Sequence, residues 1–238
     1  MICLQGIQKL TLLDYPGRVA CTLFTGGCNF RCPFCQNSEL LPCHREGSMN
    51  PDGVLAFLEH RRKKGLLDGV CITGGEPLLQ EGIAEFLQKL KQMGYAVKLD
   101  TNGSFPDKLQ ELIDAHLVDY VAMDIKNSLE RYAETSGTTG LYNQAVERSV
   151  ELLKKGLVPY EFRTTVVKEF HDAESMQQIA LWISGAERYY LQSFVDSDQV
   201  LETGLHAYEP DELEELRRMI LAKVPSAKLR GVDLSSRT

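Results

Sequence analysis

Six short apolar segments, each followed by a segment of helical periodicity, predict an α/β protein: an open, partial parallel β/α barrel of about six βα units. Two further observations point the same way. Polar and glycine-rich positions collect where the apolar segments end, as they do at the carboxyl rim of a β/α barrel. No low-complexity linker or clear repeat interrupts the alternation, so residues 1–238 read as one domain. Right-handed crossovers curl such units toward a barrel, and six units leave it open on one side.

The first strand covers residues 19–24, a mostly apolar run suited to burial on both faces, and it ends at Gly26-Gly27. A cysteine-bearing loop (26–37) follows, then a polar stretch from 36 to 49. Asn50-Pro51 supplies a cap and a proline at the first helical position, opening a helix to about Lys64. The second strand, 69–73, runs into Gly74-Gly75-Glu76-Pro77. Ile83, Phe86, Leu87 and Leu90 then recur at helical spacing until Gly94 stops them. The third strand, 95–99, ends at Asp100-Thr101-Asn102-Gly103, and Pro106 opens a helix with Leu109, Leu112 and Ile113 on its apolar face. The fourth, 118–125, ends with Asp124 and is followed by Lys126. A Thr/Gly-rich loop at 135–140 leads into a helix carrying Tyr142, Val146, Val150 and Leu153 on one side. The remaining units are a strand at 159–167 containing Arg163, a helix at 172–183, a strand at 188–194 and a helix at 210–224. A short strand at 228–231 closes the series.

Composition narrows the function classes. A net charge of −7 with no long basic run argues against a nucleic-acid or membrane-surface binder. No run approaches the roughly 20 apolar residues of a membrane span, and the first residues lack the pattern of a secretory signal, so a cytoplasmic location is expected. Seven cysteines, an odd number in a chain without an export signal, read as reduced thiols. Cys21 and Cys71 fall in strand-like runs, where a thiol is usually a small hydrophobe.

Cys28, Cys32 and Cys35 are different. Three thiols spaced Cys-x-x-x-Cys-x-x-Cys point to a shared metal centre and leave a cubane iron–sulfur cluster one ligand short. An open metal position marks a reactive site rather than a structural one. Cys43, beside His44, is the candidate fourth protein ligand, which would make a closed zinc site. The five histidines form no nucleophile–base grouping in the sequence.

The loop from Gly26 to Asn37, with Phe34 before its last cysteine, resembles the signature of the radical S-adenosylmethionine (SAM) superfamily, and Gly74-Gly75-Glu76-Pro77 matches a second element of that family. The resemblance implies a 4Fe–4S cluster on Cys28, Cys32 and Cys35. It implies that SAM chelates the open iron, with Gly74, Gly75, Glu76 and Pro77 at its amino group and Phe34 near its adenine. Leu12-Leu13-Asp14-Tyr15-Pro16-Gly17, Asp100-Thr101-Asn102-Gly103 and Asp124-Ile125-Lys126 look like those of glycyl radical enzyme activases, in particular the activating proteins of anaerobic ribonucleoside-triphosphate reductases. From that likeness Asp100, Thr101, Asn102 and Asp124 are expected beside SAM, with a monovalent cation near Asp100 and Asp124. Lys126 and Arg163 are expected at the SAM carboxylate or ribose. Where activases commonly carry histidine after the last cysteine, this chain has Gln36, and it carries no second cysteine cluster of the kind an added ferredoxin-like domain would bring. The implied function is radical generation on a glycyl radical enzyme, with a flavodoxin- or ferredoxin-type electron donor. Two rivals are a radical SAM enzyme acting on a small molecule, similar to 7-carboxy-7-deazaguanine synthase, and a non-enzymatic zinc or electron-transfer module.

Overall fold

The computed structural model describes residues 2–42 and 48–232. One eight-stranded sheet runs in chain order: β1 (Leu4–Thr11), β2 (Ala20–Thr25), β3 (Gly69–Gly74), β4 (Ala96–Thr101), β5 (Tyr120–Asp124), β6 (Tyr160–Val166), β7 (Tyr189–Ser193) and β8 (Ala227–Arg230). From β2 to β8 every neighbouring pair is parallel. Among the described residues β1 and β8 share no ladder, so the sheet is curled but open. The six expected βα units are present, as the alternation requires.

The helices are α1 (Pro51–Lys63), α2 (Ile83–Gln92), α3 (Pro106–Asp114), α4 (Tyr132–Ser136), α5 (Asn143–Lys154), α6 (Ala173–Trp182) and α7 (Pro210–Ile220). Local chemistry explains their starts. Asn50 caps α1 by accepting from the Asp52 N–H at 3.0 Å, and Asp172 forms a capping box with Ser175 at α6. Leu109, Leu112 and Ile113 of α3, and Val146, Val150 and Leu153 of α5, are buried as their spacing predicts.

Two elements depart from expectation. β1 pairs antiparallel to β2 with register shifts, and its residues are mostly half-exposed or exposed. An edge strand with Gly6 and three exposed residues in a row lacks a clean apolar signal. The Thr/Gly-rich stretch begins inside α4, because Thr135 and Ser136 are buried and return hydroxyl hydrogen bonds to the carbonyls of Arg131 and Tyr132.

Candidate functional site

A cavity of about 720 Å³ occupies the lumen at the carboxyl end of the parallel strands. Cys28, Cys32 and Cys35 line it together with Phe34, Gly74, Gly75, Asp100, Thr101, Asn102, Asp124, Lys126 and Arg163. Residues scattered over five strands in the sequence therefore share one space. Glu76 and Pro77 do not line it.

The cysteine loop is held from several sides. Its main chain donates from Gly27 to the Leu40 carbonyl (2.7 Å), from Cys28 to that of Leu41 (3.3 Å) and from Arg31 to that of Ser136 (2.9 Å). The carbonyl of Pro33 accepts from Glu202 (2.9 Å), and the Gln36 amide donates to the carbonyl of Val195 (2.8 Å). The loop is thus bound to the segment after β7, and Leu40 and Leu41 are bound back to the loop. Phe34 is buried against Phe170 and the edge of His171, with ring centroids 5.9 and 6.0 Å away.

The three thiols are free. Burial pushes the Cys28 thiol up to about 11 and that of Cys32 up to about 12. Such groups keep their protons near neutral pH, and binding a metal releases them as thiolates. Among the described residues, no three Cys, His, Asp or Glu side chains are grouped to hold one metal ion. Three free thiols on one cavity of mixed polar and apolar lining fit a cubane, which divides its thiolates among separate irons. Cys43 and His44 lie outside the described residues.

The glycines and Glu76 build the wall behind this loop. A Cβ on Gly75 would overlap the carbonyl of Gly27, and one on Gly74 (φ +116°) would overlap the Thr25 main chain. The Gly-Gly pair is needed for protein backbone to meet protein backbone. Glu76 is fully buried and accepts three hydrogen bonds, from the Leu78 N–H (2.9 Å), the Thr101 hydroxyl (2.9 Å) and the Asn102 N–H (2.7 Å). Its carboxylate therefore braces the ends of β3 and β4 against each other. Burial pushes it up to about 7, against the pull of those donors.

A ladder of alternating charges crosses the lumen. Lys98 pairs with Asp100; Arg163 reaches Asp100 at 3.0 Å and Asp124 at 2.9 Å; Lys126 reaches Asp124 at 3.1 Å. Burial would raise both aspartates, but Arg163 and the lysines outweigh it, holding Asp100 below the usual range and Asp124 down to about 2. Arg163 spans the two aspartates beside which a monovalent cation is expected from the sequence.

Several contributors escaped the sequence reading. Lys98 is buried two residues before Asp100, on the same face of β4, which is the signal that could have revealed it. Cys71 lines the cavity within 3.8 Å of the Lys98 amine and 3.7 Å of Asp100, so it is more than a core hydrophobe. Gln80 pins the Gly26 turn by donating to its carbonyl at 2.6 Å. Arg230 on β8 pairs with buried Glu161 at 3.0 Å and lies over the Tyr190 ring.

The radical SAM superfamily model matches residues 22–183. A protein of Methanocaldococcus jannaschii, provisionally named a glycyl-radical enzyme activating enzyme, is 30% identical over 236 residues, covering 96% of this chain and 96% of its own length. GTP 3′,8-cyclase of Helicobacter pylori is 35% identical over 166 residues, covering 64% of this chain and 48% of that one. Among solved structures, a domain of pyruvate-formate lyase-activating enzyme from Bacteroides vulgatus shares the fold, with a TM-score of 0.56 at 16% identity over 68% of this chain and 99% of that one. The chain belongs to the radical SAM superfamily.

Proposed function

We propose that this radical SAM enzyme activates a glycyl radical enzyme, with anaerobic ribonucleoside-triphosphate reductase as the first candidate partner. The family works with a 4Fe–4S cluster and SAM. When bound, they supply one-electron cleavage of the sulfonium to methionine and a 5′-deoxyadenosyl radical, which takes a hydrogen atom from a glycine Cα. Cys28, Cys32 and Cys35 would hold three irons, and the Gly74-Gly75 strand end with Thr101 would border the methionyl part of SAM. Phe34, already packed against Phe170, would form the wall beside the adenine. In the charge ladder three cations face two carboxylates, and the one positive charge over suits the single carboxylate of SAM.

The observation that carries the protein-substrate reading is the pairing of charge in the lumen. Among the described residues, the four cations lining it, Lys98, Lys126, Arg163 and Arg230, are each ion-paired with Asp100, Asp124 or Glu161. With that single surplus charge taken by the SAM carboxylate, a nucleoside triphosphate would have to break existing ion pairs to find counter-charge. An uncharged main chain would not. Leu12 and Leu13, 68% and 89% exposed, add an apolar lip where Leu13 meets the cavity, the kind of surface a partner protein covers.

Among the described residues no helix is long and apolar enough to cross a membrane, and we place the protein in the cytoplasm with a flavodoxin- or ferredoxin-type donor. The test is anaerobic incubation of the reconstituted, reduced protein with SAM and candidate glycyl radical enzymes. A glycyl radical EPR doublet on a candidate is the expected result. SAM cleavage coupled only to turnover of a nucleotide such as GTP would replace this reading with the small-molecule one. Alanine at Cys28, Cys32 or Cys35 is expected to abolish cluster-dependent SAM cleavage.

A further inference from the structure

We propose that Asn102 is a positioning residue whose side chain holds Cys28 and tunes its sulfur, rather than a side-chain ligand of SAM. The inference rests on Cys28 being a cluster ligand.

Hydrogen-bond accounting carries it. A carboxamide has two donor hydrogens and room for two acceptor contacts. Asn102 uses them all within the protein. Its oxygen accepts from the Ser104 N–H at 2.9 Å and the Ser104 hydroxyl at 2.5 Å. Its nitrogen donates to Oδ1 of Asn29 at 3.0 Å and to Sγ of Cys28 at 3.9 Å. Asn29 closes the ring by donating to the Ser104 hydroxyl at 2.9 Å. The amide orientation is forced, because the Ser104 main-chain N–H can only donate and so must meet the oxygen. The side chain is buried, and its own main-chain N–H is spent on Glu76.

The ring therefore runs from the braced end of β4 into the cysteine loop and ends on a sulfur. Cys28 also accepts from the main-chain N–H of Phe30 at 3.4 Å, which substitutions at Asn102 and Ser104 leave in place. Asn102 supplies the adjustable donor. Hydrogen bonds to cluster thiolates withdraw electron density and favour the reduced cluster, so they set its potential.

The experiment compares wild type with Asn102→Ala, Asn102→Asp and Ser104→Ala, each reconstituted anaerobically. Readouts are the midpoint potential and EPR spectrum of the reduced cluster, SAM affinity, and the melting temperature of the apo-protein. Asn102→Ala is expected to shift the potential negative and alter the EPR g-values. Asn102→Asp should go further, because an oxygen then faces the sulfur. SAM affinity of Asn102→Ala should stay within about threefold, and its apo-form should melt about 2–4 °C lower for each kcal/mol lost. Ser104→Ala should move the potential the same way by less, and it carries the test should Asn102 variants fail to fold. Unchanged potentials and spectra in the variants overturn the proposal. So does a tenfold or greater loss of SAM affinity at an unchanged potential, which would make Asn102 a direct ligand. A wild-type protein that takes up no four-iron cluster defeats the reading of Cys28 on which the proposal rests, a separate and recognisable outcome.

Discussion

Arg163 on β6 donates from Nε to Oδ1 of Asp124 on β5 at 2.9 Å, joining neighbouring strands across the lumen. The same guanidinium reaches Asp100 on β4, so one side chain ties three strand ends. Replacing it with methionine keeps much of the bulk but takes one of two cationic partners from each carboxylate, leaving Asp100 to Lys98 and Asp124 to Lys126. Removing one partner of a buried ion pair costs about 3–5 kcal/mol, and that loss is expected for Arg163→Met in chemical denaturation. The pH dependence has a sign. Asp124 is held at about 2, below the ordinary 3.8, so its contribution is present above pH 3.8 and is lost as pH falls through 2. Without Arg163 the acid transition should move to higher pH. An acid limb that stays in place would show that the lysines alone carry the ladder.

Glu76 predicts the opposite slope. Its folded-state pKa of about 7 lies above the ordinary 4.5, so the native state holds its proton more tightly than the unfolded chain. Native stability from this group is greatest below pH 4.5 and falls as pH rises through 7. At 1.36 kcal/mol per pKa unit the loss is about 3 kcal/mol. Glu76→Gln removes the titration but puts an amide against a donor, either the Asn102 N–H or the pair from Leu78 and Thr101, at a cost of about 1–3 kcal/mol. The variant should therefore be less stable than wild type at pH 4.5 and approach or overtake it by pH 8. Parallel stability–pH curves for the two proteins would contradict this.

His171 shows what buried geometry adds. Its Nδ1 lies 3.1 Å from the Val167 N–H, which must donate, so Nε2 carries the proton and donates to the Lys126 carbonyl at 2.8 Å. The ring thus links the turn after β6 to the segment after β5, beneath Phe34. Burial pushes it down to about 4. Its stabilisation is complete above pH 6.5 and is lost as pH falls from 6.5 to 4. His171→Phe should leave two buried main-chain groups unpaired, cost about 2 kcal/mol or more, and abolish that limb of the pH profile, with guanidinium unfolding at pH 5 and pH 7.5 as the check.

These contacts mark where the sequence could be read and where it could not. The six βα units were legible because buried parallel strands are apolar runs and the helices between them keep one apolar stripe. Cys28, Cys32 and Cys35 were legible because spacing alone brings them into one loop, and the strand-end polar groups because barrel topology puts all such ends on one rim. β1 was not, since an exposed edge strand has neither a clean alternation nor an apolar run. The roles within the site were also hidden. Whether Arg163 faces a ligand or spans Asp100 and Asp124 depends on register between β4, β5 and β6, which no local pattern reports. Glu76 and His171 acquire their tasks only from burial against elements distant in the chain.

Two glycines make a matched steric test. Gly75 needs its missing side chain, because a Cβ there would overlap the Gly27 carbonyl at the root of the cysteine loop. Gly75 N–H and carbonyl neighbours are also committed: its N–H donates to Thr25 at 2.9 Å, and the next N–H, of Glu76, donates to that same Gly27 carbonyl at 2.8 Å. Neither main chain can retreat without breaking these bonds, so Gly75→Ala is expected to cost about 1–3 kcal/mol by overpacking, and to lower iron uptake because the displaced loop carries Cys28. Gly53 lies in the first turn of α1, where a Cβ would meet only the Asn50 Cβ at 3.9 Å, an ordinary contact. Gly53→Ala removes backbone freedom from the unfolded chain and should stabilise by about 0.4–1 kcal/mol. Thermal melts of the two apo-variants, with iron content after reconstitution, separate a steric defect at the site from a general intolerance of alanine. Equal iron uptake by Gly75→Ala and wild type would show that the loop can move off the β3 end and still collect its three thiols.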